Sequence, residues 1–78
     1  VVCSPLEIEL VKKISSGRLI IVTPGIRPEN YNKNDDQKRF MSPKKAVNLG
    51  ANYLVIGRPI TQSSNPLSEI TSINSSIE

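Results

Sequence analysis

The chain is 78 residues long, 37% hydrophobic and contains three aromatic residues, which allows at most one small domain with a modest core. Its ten Lys and Arg residues exceed its seven Asp and Glu residues, for a net charge of +3, but charges of both signs are interspersed. This distribution lacks the polybasic arm typical of nucleic-acid-binding proteins and favours a small anion as ligand. A single cysteine excludes an internal disulfide, and the longest apolar run is far below the ~20 residues that span a bilayer.

The first element is an apolar run, Val1 to Cys3, with no initiator Met before it. We expect it to be the end of a strand that is entered midway, and the chain to be a truncated polypeptide or one product of a split reading frame. No charged-then-apolar leader is present, so we expect a cytoplasmic protein. Because the chain contains no His to act as a partner, Cys3 is expected to be a small buried hydrophobe rather than a nucleophile.

A helix is predicted from Pro5 to about Ser16. Ser4 to Glu7 have a capping-box pattern, in which the Ser4 side chain accepts from the amide three residues on and Pro5 suits the first helical position. Gly17 stands where a left-handed C-cap is expected. Four apolar side chains at helical spacing predict the buried face of this helix: Leu6, Leu10, Val11 and Ile14.

Two more helices have similar start signals. Ser42 and a following proline open a helix that Gly50 closes, and Asn65 with its following proline opens another. The end of this last helix, residues 72–78, is expected to fray. Its predicted inward side chains are Leu67, Ile70, Ile73 and Ile77.

Each of these helices is preceded by an apolar run that predicts a strand. Residues 18–23 contain the continuous sequence LIIV, and residues 53–56 read YLVI, as in strands buried on both faces of a parallel sheet. The resulting order, βαβαβα, implies parallel strands joined by right-handed crossovers. Such a sheet has two open edges and one uncovered face, so we expect part of a larger sheet that is marginally stable by itself.

Residues 24–41 form a connection far longer than the usual two to six residues, and long loops in compact folds are usually functional. We expect a mobile loop that closes over a ligand. Gln37 could donate its side-chain amide to a phosphate there, or could simply be solvated. Asp35 and Asp36 are not expected to bind a metal or to act as an acid/base pair, because they are adjacent in a basic loop and the chain has no His.

Two arginines follow strand ends, where parallel α/β folds place their ligands. After residues 53–56, Gly57 would let an oxyanion approach backbone amides, and Arg58 would add a permanent charge; the alternative is a turn glycine beside a solvated arginine. In residues 23–28, TPGIRP, two prolines hold Arg27 at the mouth of the preceding strand. Phosphate sites of (β/α)₈ barrels often form from the last two such loops, so both arginines are predicted to converge.

Together these segments resemble the closing third of a bacterial orotidine 5′-phosphate decarboxylase. The resemblance is carried by residues 1–4 (VVCS), 22–28 (VTPGIRP), 36–43 (DQKRFMSP) and 55–61 (VIGRPIT). The TPGIRP sequence is specific, whereas GRPIT is shared more loosely with related barrels. The implied fold is the last three βα units of a (β/α)₈ barrel, an α/β fold that is incomplete by itself, with residues 1–78 forming part of one domain.

The resemblance also implies an activity and a site. Members of the family convert orotidine 5′-monophosphate to UMP and carbon dioxide in pyrimidine biosynthesis, as homodimers and without a metal or organic cofactor. Arg27, Gln37, Gly57 and Arg58 match their phosphate-binding residues. Their catalytic Lys and Asp residues lie on earlier strands and match nothing here, so the isolated chain is expected to be inactive. The implied partners are a nucleotide monophosphate and either a second copy or an N-terminal fragment of the same barrel.

Two other interpretations remain open. The chain could be a degenerate, non-enzymatic remnant or an interaction module, or it could be a fragment of a related sugar-phosphate barrel such as a hexulose-phosphate synthase. A small RNA-binding protein is disfavoured, because the sequence contains no pair of aromatic residues on which bases could stack.

Overall fold

The computed structural model describes residues 1–28 and 41–78. In chain order, its elements are a 3₁₀ turn (Pro5–Glu7) leading into helix α1 (Ile8–Ser15), strand β1 (Val22–Thr23), helix α2 (Pro43–Leu49), strand β2 (Tyr53–Leu54), helix α3 (Arg58–Thr61) and helix α4 (Pro66–Ser76). The predicted alternation of strands and helices is present. Within the two described ranges, no helix is long and apolar enough to cross a membrane.

Strand β1 lies at the centre of a parallel sheet. Val22 of β1 is opposite Tyr53 of β2, in parallel. On the other side of β1, Val2 forms a parallel bridge with Val22. The Val22 amide donates to the Val1 carbonyl at 2.8 Å, and the Cys3 amide donates to the Val22 carbonyl at 3.0 Å. The chain start therefore adds a short third strand, and the predicted parallel arrangement is confirmed.

Side-chain caps and prolines start α2 and α4 as predicted. Ser42 Oγ accepts from the Lys45 amide at 3.3 Å, Asn65 Oδ1 accepts from the Ser68 amide at 3.1 Å, and a proline follows each cap. Such an acceptor satisfies one of the amides that a helix start leaves without an intrahelical partner. Gly50 then ends α2 with a φ of 122°, which glycine adopts without a Cβ penalty.

The first helix begins differently from the prediction. Ser4 Oγ accepts from the amide of Leu6 at 3.3 Å, one residue earlier than a capping box requires. The Glu7 amide instead donates to the Ser4 carbonyl at 2.9 Å. This bond spans three residues, so Pro5–Glu7 forms a 3₁₀ turn and α1 begins at Ile8.

The core lies between one face of the sheet and helices α1 and α2. Its buried members are Ile8, Ile21, Ile26, Met41, Ala46 and Ala51. The predicted buried face of the first helix is wrong, because Leu6, Leu10 and Ile14 are 57–74% exposed while Ile8 is fully buried. Of the predicted set, Val11 packs against the core. Ile8 and Val11 are about one helical turn apart and share the inward face of α1. Leu10 and Ile14 lie on another side of the helix and point away from the sheet.

The strands are buried on one face, which contradicts the prediction of burial on both. Ile21 and Thr23 are 1% and 0% exposed, whereas Ile20, Tyr53 and Val55 are 50–62% exposed. The helices cover one face of the sheet, and no element in the described part of the chain covers the other. Side chains that alternate onto this second face therefore stay exposed.

Helix α4 contacts α2 and α3, and its buried residue is Ile73. Leu67 was predicted to face inward but is 74% exposed in the first turn of the helix. The helix continues to Ser76, so the fraying predicted for residues 72–78 is wrong over most of that range. The reason is local, because the buried anchor Ile73 lies within the segment that was expected to fray.

Candidate functional site

The carboxyl ends of β1 and β2 lie at the same edge of the sheet. Thr23, the last residue of β1, is opposite Leu54, the last residue of β2. The Val55 amide extends this pairing by donating to the Thr23 carbonyl at 2.9 Å. Arg27 and Gly57 follow the two strand ends within a few residues. Both predicted anion-binding segments therefore leave the sheet at the edge where parallel α/β folds hold their ligands.

Hydrogen bonds close the base of the long connection after β1. Gly25 turns the chain with a φ of 73°. Ile26 then forms a parallel bridge with Met41. The Arg27 amide donates to the Met41 carbonyl at 2.9 Å, and the Met41 amide donates to the Gly25 carbonyl at 3.3 Å. Because Ile26 and Met41 are also buried, both ends of the connection are fixed at the sheet edge.

The predicted loop residue Gln37 lies outside the described residues, as do Asp35 and Asp36. The role of Gln37 at the site and the closing motion of residues 24–41 stay predictions.

Arg27 is buried at the base of the loop, with 8% of its surface exposed. Its Nη1 donates to the carbonyl of the neighbouring Ile26 at 3.0 Å. This bond uses one of the five N–H donors of the guanidinium and orients the group beside the strand end. A buried guanidinium needs hydrogen-bond acceptors around it, and the Ile26 carbonyl is one of them.

Gly57 and Arg58 form the turn that leads from β2 into α3. The Gly57 carbonyl accepts from the amides of Ile60 and Thr61 at 2.9 and 3.0 Å, which fixes the turn. Gly57 has a φ of −104°, and a Cβ built there would meet nothing within 4 Å. The space beside Gly57 is therefore open among the described residues. Arg58 is exposed and begins the helix.

Helix α3 was not predicted from the sequence, because residues 56–60 were interpreted only as the junction that follows a strand. The signal was present: Pro59 lies near the helix start, as Pro43 and Pro66 do in α2 and α4. A single turn is too short to show hydrophobic periodicity, so only the proline could have revealed it.

An open cavity of about 410 Å³ lies near the loop base, but it does not include the predicted phosphate ligands. Its lining residues are Pro28, Ser42, Pro43, Lys44, Ser72, Ile73 and Ser76. No group of three or more His, Cys, Asp or Glu side chains comes together within residues 1–28 and 41–78. The clearest chemical feature of the described residues is therefore the pair of arginines at the sheet edge.

The chain matches a known protein family and individual members of it. Residues 1–73 match the orotidine 5′-phosphate decarboxylase/HUMPS family. The chain is 53% identical over 77 residues to the orotidine 5′-phosphate decarboxylase of Actinobacillus pleuropneumoniae serotype 5b (strain L20), and 61% identical over 66 residues to that of Wigglesworthia glossinidia brevipalpis. The two alignments cover 99% and 85% of this chain.

The matching structures define the fold. The crystal structure of orotidine 5′-phosphate decarboxylase from Lactobacillus acidophilus matches all of this chain with a TM-score of 0.79 at 33% identity, and 30% of that chain is covered. The chain likewise spans 33% and 28% of the length of the Actinobacillus and Wigglesworthia relatives. The predicted fold, part of a (β/α)₈ barrel, is thereby confirmed.

Proposed function

Because the chain belongs to the orotidine 5′-phosphate decarboxylase/HUMPS family, we propose that it is the phosphate-binding portion of an orotidine 5′-phosphate decarboxylase. In this proposal residues 1–78 are the C-terminal part of one barrel domain, and residues 24–41 close over the ligand. The supporting observation is that Arg27 and Arg58 follow neighbouring parallel strands at one edge of the sheet. The ligand is the 5′-phosphate of orotidine 5′-monophosphate or UMP.

Each proposed residue has a distinct role. Arg27, fixed by the loop base, and Arg58, on the next strand end, donate charge-assisted hydrogen bonds to phosphate oxygens from two sides. The open space beside Gly57 lets an oxygen approach the backbone. Gln37 adds a neutral amide from the closing loop.

The proposal assigns binding, and not bond cleavage, to this part of the barrel. The acid/base residues of decarboxylation belong to the earlier strands of a complete enzyme, so the isolated 78 residues are proposed to be inactive. Phosphate binding far from the reacting carbon supplies energy that a complete enzyme uses to favour its transition state. The complete protein is proposed to be a cytoplasmic homodimer that needs no metal or organic cofactor.

A joined barrel tests this proposal. The part of the Actinobacillus relative that precedes its matched segment would be fused ahead of Val1, and loss of orotidine 5′-monophosphate absorbance would be measured. We expect turnover by the fusion and none by the 78 residues alone. A folded fusion that binds a hexulose phosphate but not UMP would favour a sugar-phosphate barrel, and one that binds neither would favour a degenerate remnant.

A further inference from the structure

Met41 lies at the base of the long connection and pairs through its backbone with the segment that carries Arg27. Its carbonyl accepts from the Arg27 amide at 2.9 Å, and its amide donates to the Gly25 carbonyl at 3.3 Å. These two bonds flank Ile26, which forms a parallel bridge with Met41. Both backbone polar groups of Met41 therefore bond to residues 25–27, just after the end of β1.

The position of Met41 itself is fixed from the covered side of the sheet. Its side chain is 9% exposed and belongs to the buried core together with Ile26 and Ala46. The next residue, Ser42, caps α2, with its Oγ accepting from the Lys45 amide at 3.3 Å. Because a buried methionine side chain is long and fills the space around it, truncation would remove most of the atoms that tie Met41 to this core. The position of the Met41 backbone thus depends on how its own side chain packs.

The orientation of Arg27 depends on the same segment. Arg27 Nη1 donates to the Ile26 carbonyl at 3.0 Å, so the guanidinium is oriented against the short stretch of backbone that Met41 holds. A hydrogen bond weakens steeply when its donor is displaced or misaligned, and a bidentate bond from a planar guanidinium to an anion demands a defined geometry. A shift of residues 25–27 would therefore weaken a bond from Arg27 to a phosphate without removing the charge.

We propose that Met41 is a positioning residue of the phosphate site. Its buried side chain fixes the carbonyl that bonds the Arg27 amide, and this raises the affinity for a phosphate that Met41 does not itself contact. The inference rests on the proposed function, because it assumes that Arg27 binds the 5′-phosphate of the ligand. The effect is confined to Arg27, since Arg58 lies in a separate turn, which the Gly57 carbonyl fixes by accepting from two amides of α3.

UMP and uridine binding to a fused barrel, in which the N-terminal portion of the Actinobacillus relative precedes Val1, tests the proposal. Met41→Ala should weaken UMP binding at least about fivefold, because Arg27 keeps its charge but loses its fixed orientation. Uridine, which has no phosphate, should bind with less than about a twofold change. Met41→Leu should retain UMP affinity within about twofold, since it keeps the buried apolar volume. If Met41→Ala does not fold, Met41→Val, which removes less volume, replaces it with an expected loss of at least about threefold.

Ile8→Ala separates positioning from a general loss of stability. Ile8 is fully buried in the same core but lies at the start of α1, away from the loop base. This variant should lower the melting temperature of the fused barrel at least as much as Met41→Ala does, and should change UMP affinity less than about twofold. Equal weakening of UMP binding by Ile8→Ala and Met41→Ala would overturn the proposal, because any loosening of the core would then suffice.

Double variants test whether Met41 acts through Arg27. In the Arg27→Ala background, Met41→Ala should weaken UMP binding by less than a further factor of about two, since no guanidinium is left to position. In the Arg58→Ala background, the same change should still weaken binding at least about fivefold. Equal losses in both backgrounds would contradict a role through Arg27.

The outcomes distinguish failure of this inference from failure of the proposed function. If Arg27→Ala weakens UMP binding and Met41→Ala in the folded barrel does not, the positioning role is wrong and the phosphate site stands. If Arg27→Ala itself leaves UMP binding unchanged, the phosphate site and the positioning role are both wrong.

Discussion

The side chain of Lys12 on α1 lies directly against the backbone of Gly50, the residue that ends α2. A Cβ built at Gly50 would be 2.5 Å from Lys12 Cδ and 2.9 Å from Nζ, closer than side chains approach in proteins. The contact joins two successive helices on the covered side of the sheet, and Gly50 also has a φ of 122°. The positive φ favours glycine at this position, whereas the overlap involves the flexible end of the Lys12 side chain, which can move aside.

Gly50→Ala should lower the free energy of unfolding by about 1 kcal/mol, mainly because alanine is strained at a φ of 122° and to a lesser extent because the end of Lys12 must move aside. Urea denaturation of the fused barrel, followed by circular dichroism, would measure it. Gly17→Ala is the matched control, because Gly17 also has a positive φ of 74° but nothing within 4 Å of a built Cβ. Combining Gly50→Ala with Lys12→Ala should recover part of the loss. No recovery in the double variant would show that the overlap with Lys12 contributes nothing.

Thr23→Val should raise the free energy of unfolding by about 1 kcal/mol, because it replaces a buried hydroxyl by a methyl group of similar size. Thr23 is fully buried, and its Oγ1 has no hydrogen-bond partner among the described residues. Thr71→Val is the control, since Thr71 is exposed and its Oγ1 donates to the Leu67 carbonyl. Thermal unfolding of the fused barrel would compare the two variants. Destabilisation by Thr23→Val would mean that the hydroxyl has a hydrogen-bond partner in the folded protein.

The sequence was most informative where local chemistry decides the structure. The clearest case is the pairing of a capping side chain with a following proline. Ser42 with Pro43, and Asn65 with Pro66, correctly predicted the starts of α2 and α4. The same proline signal at Pro59 does not by itself predict α3, because a helix of one turn shows no hydrophobic periodicity. Parallel strand order also followed from alternation alone.

Burial was predicted less well because it depends on what packs against each element. The sequence LIIV predicts burial on both faces only if a second layer is present, and Ile20 is exposed because no described element covers it. On α1, periodicity counted from Leu6 selected the wrong face, since the initial 3₁₀ turn and the position of Ile8 set the helix rotation. The positions of Arg27 and Gly57 at one edge were predictable, because they depend on strand order.

Gln37→Ala in the fused barrel should weaken UMP binding less than loss of either arginine. A neutral amide makes a weaker bond to phosphate than a guanidinium, and its removal leaves no buried charge unpaired. Isothermal titration calorimetry would measure the difference. A loss as large as that of the arginine variants would make Gln37 a principal phosphate ligand.

The most direct test of phosphate binding compares UMP with uridine, which lacks the phosphate, as ligands of the fused barrel. Arg27→Ala and Arg58→Ala should each weaken UMP binding about 10- to 100-fold, because each removes a charge-assisted hydrogen bond to the phosphate. Both variants should leave uridine binding almost unchanged. Arg18→Ala is the control, because Arg18 is exposed and precedes β1 at the opposite end of the strand. Since Arg27 is buried, Arg27→Lys and a thermal melt would check that its loss does not unfold the barrel. Selective loss of UMP binding is the predicted result, and equal loss of UMP and uridine binding in folded variants would contradict a phosphate site at Arg27 and Arg58.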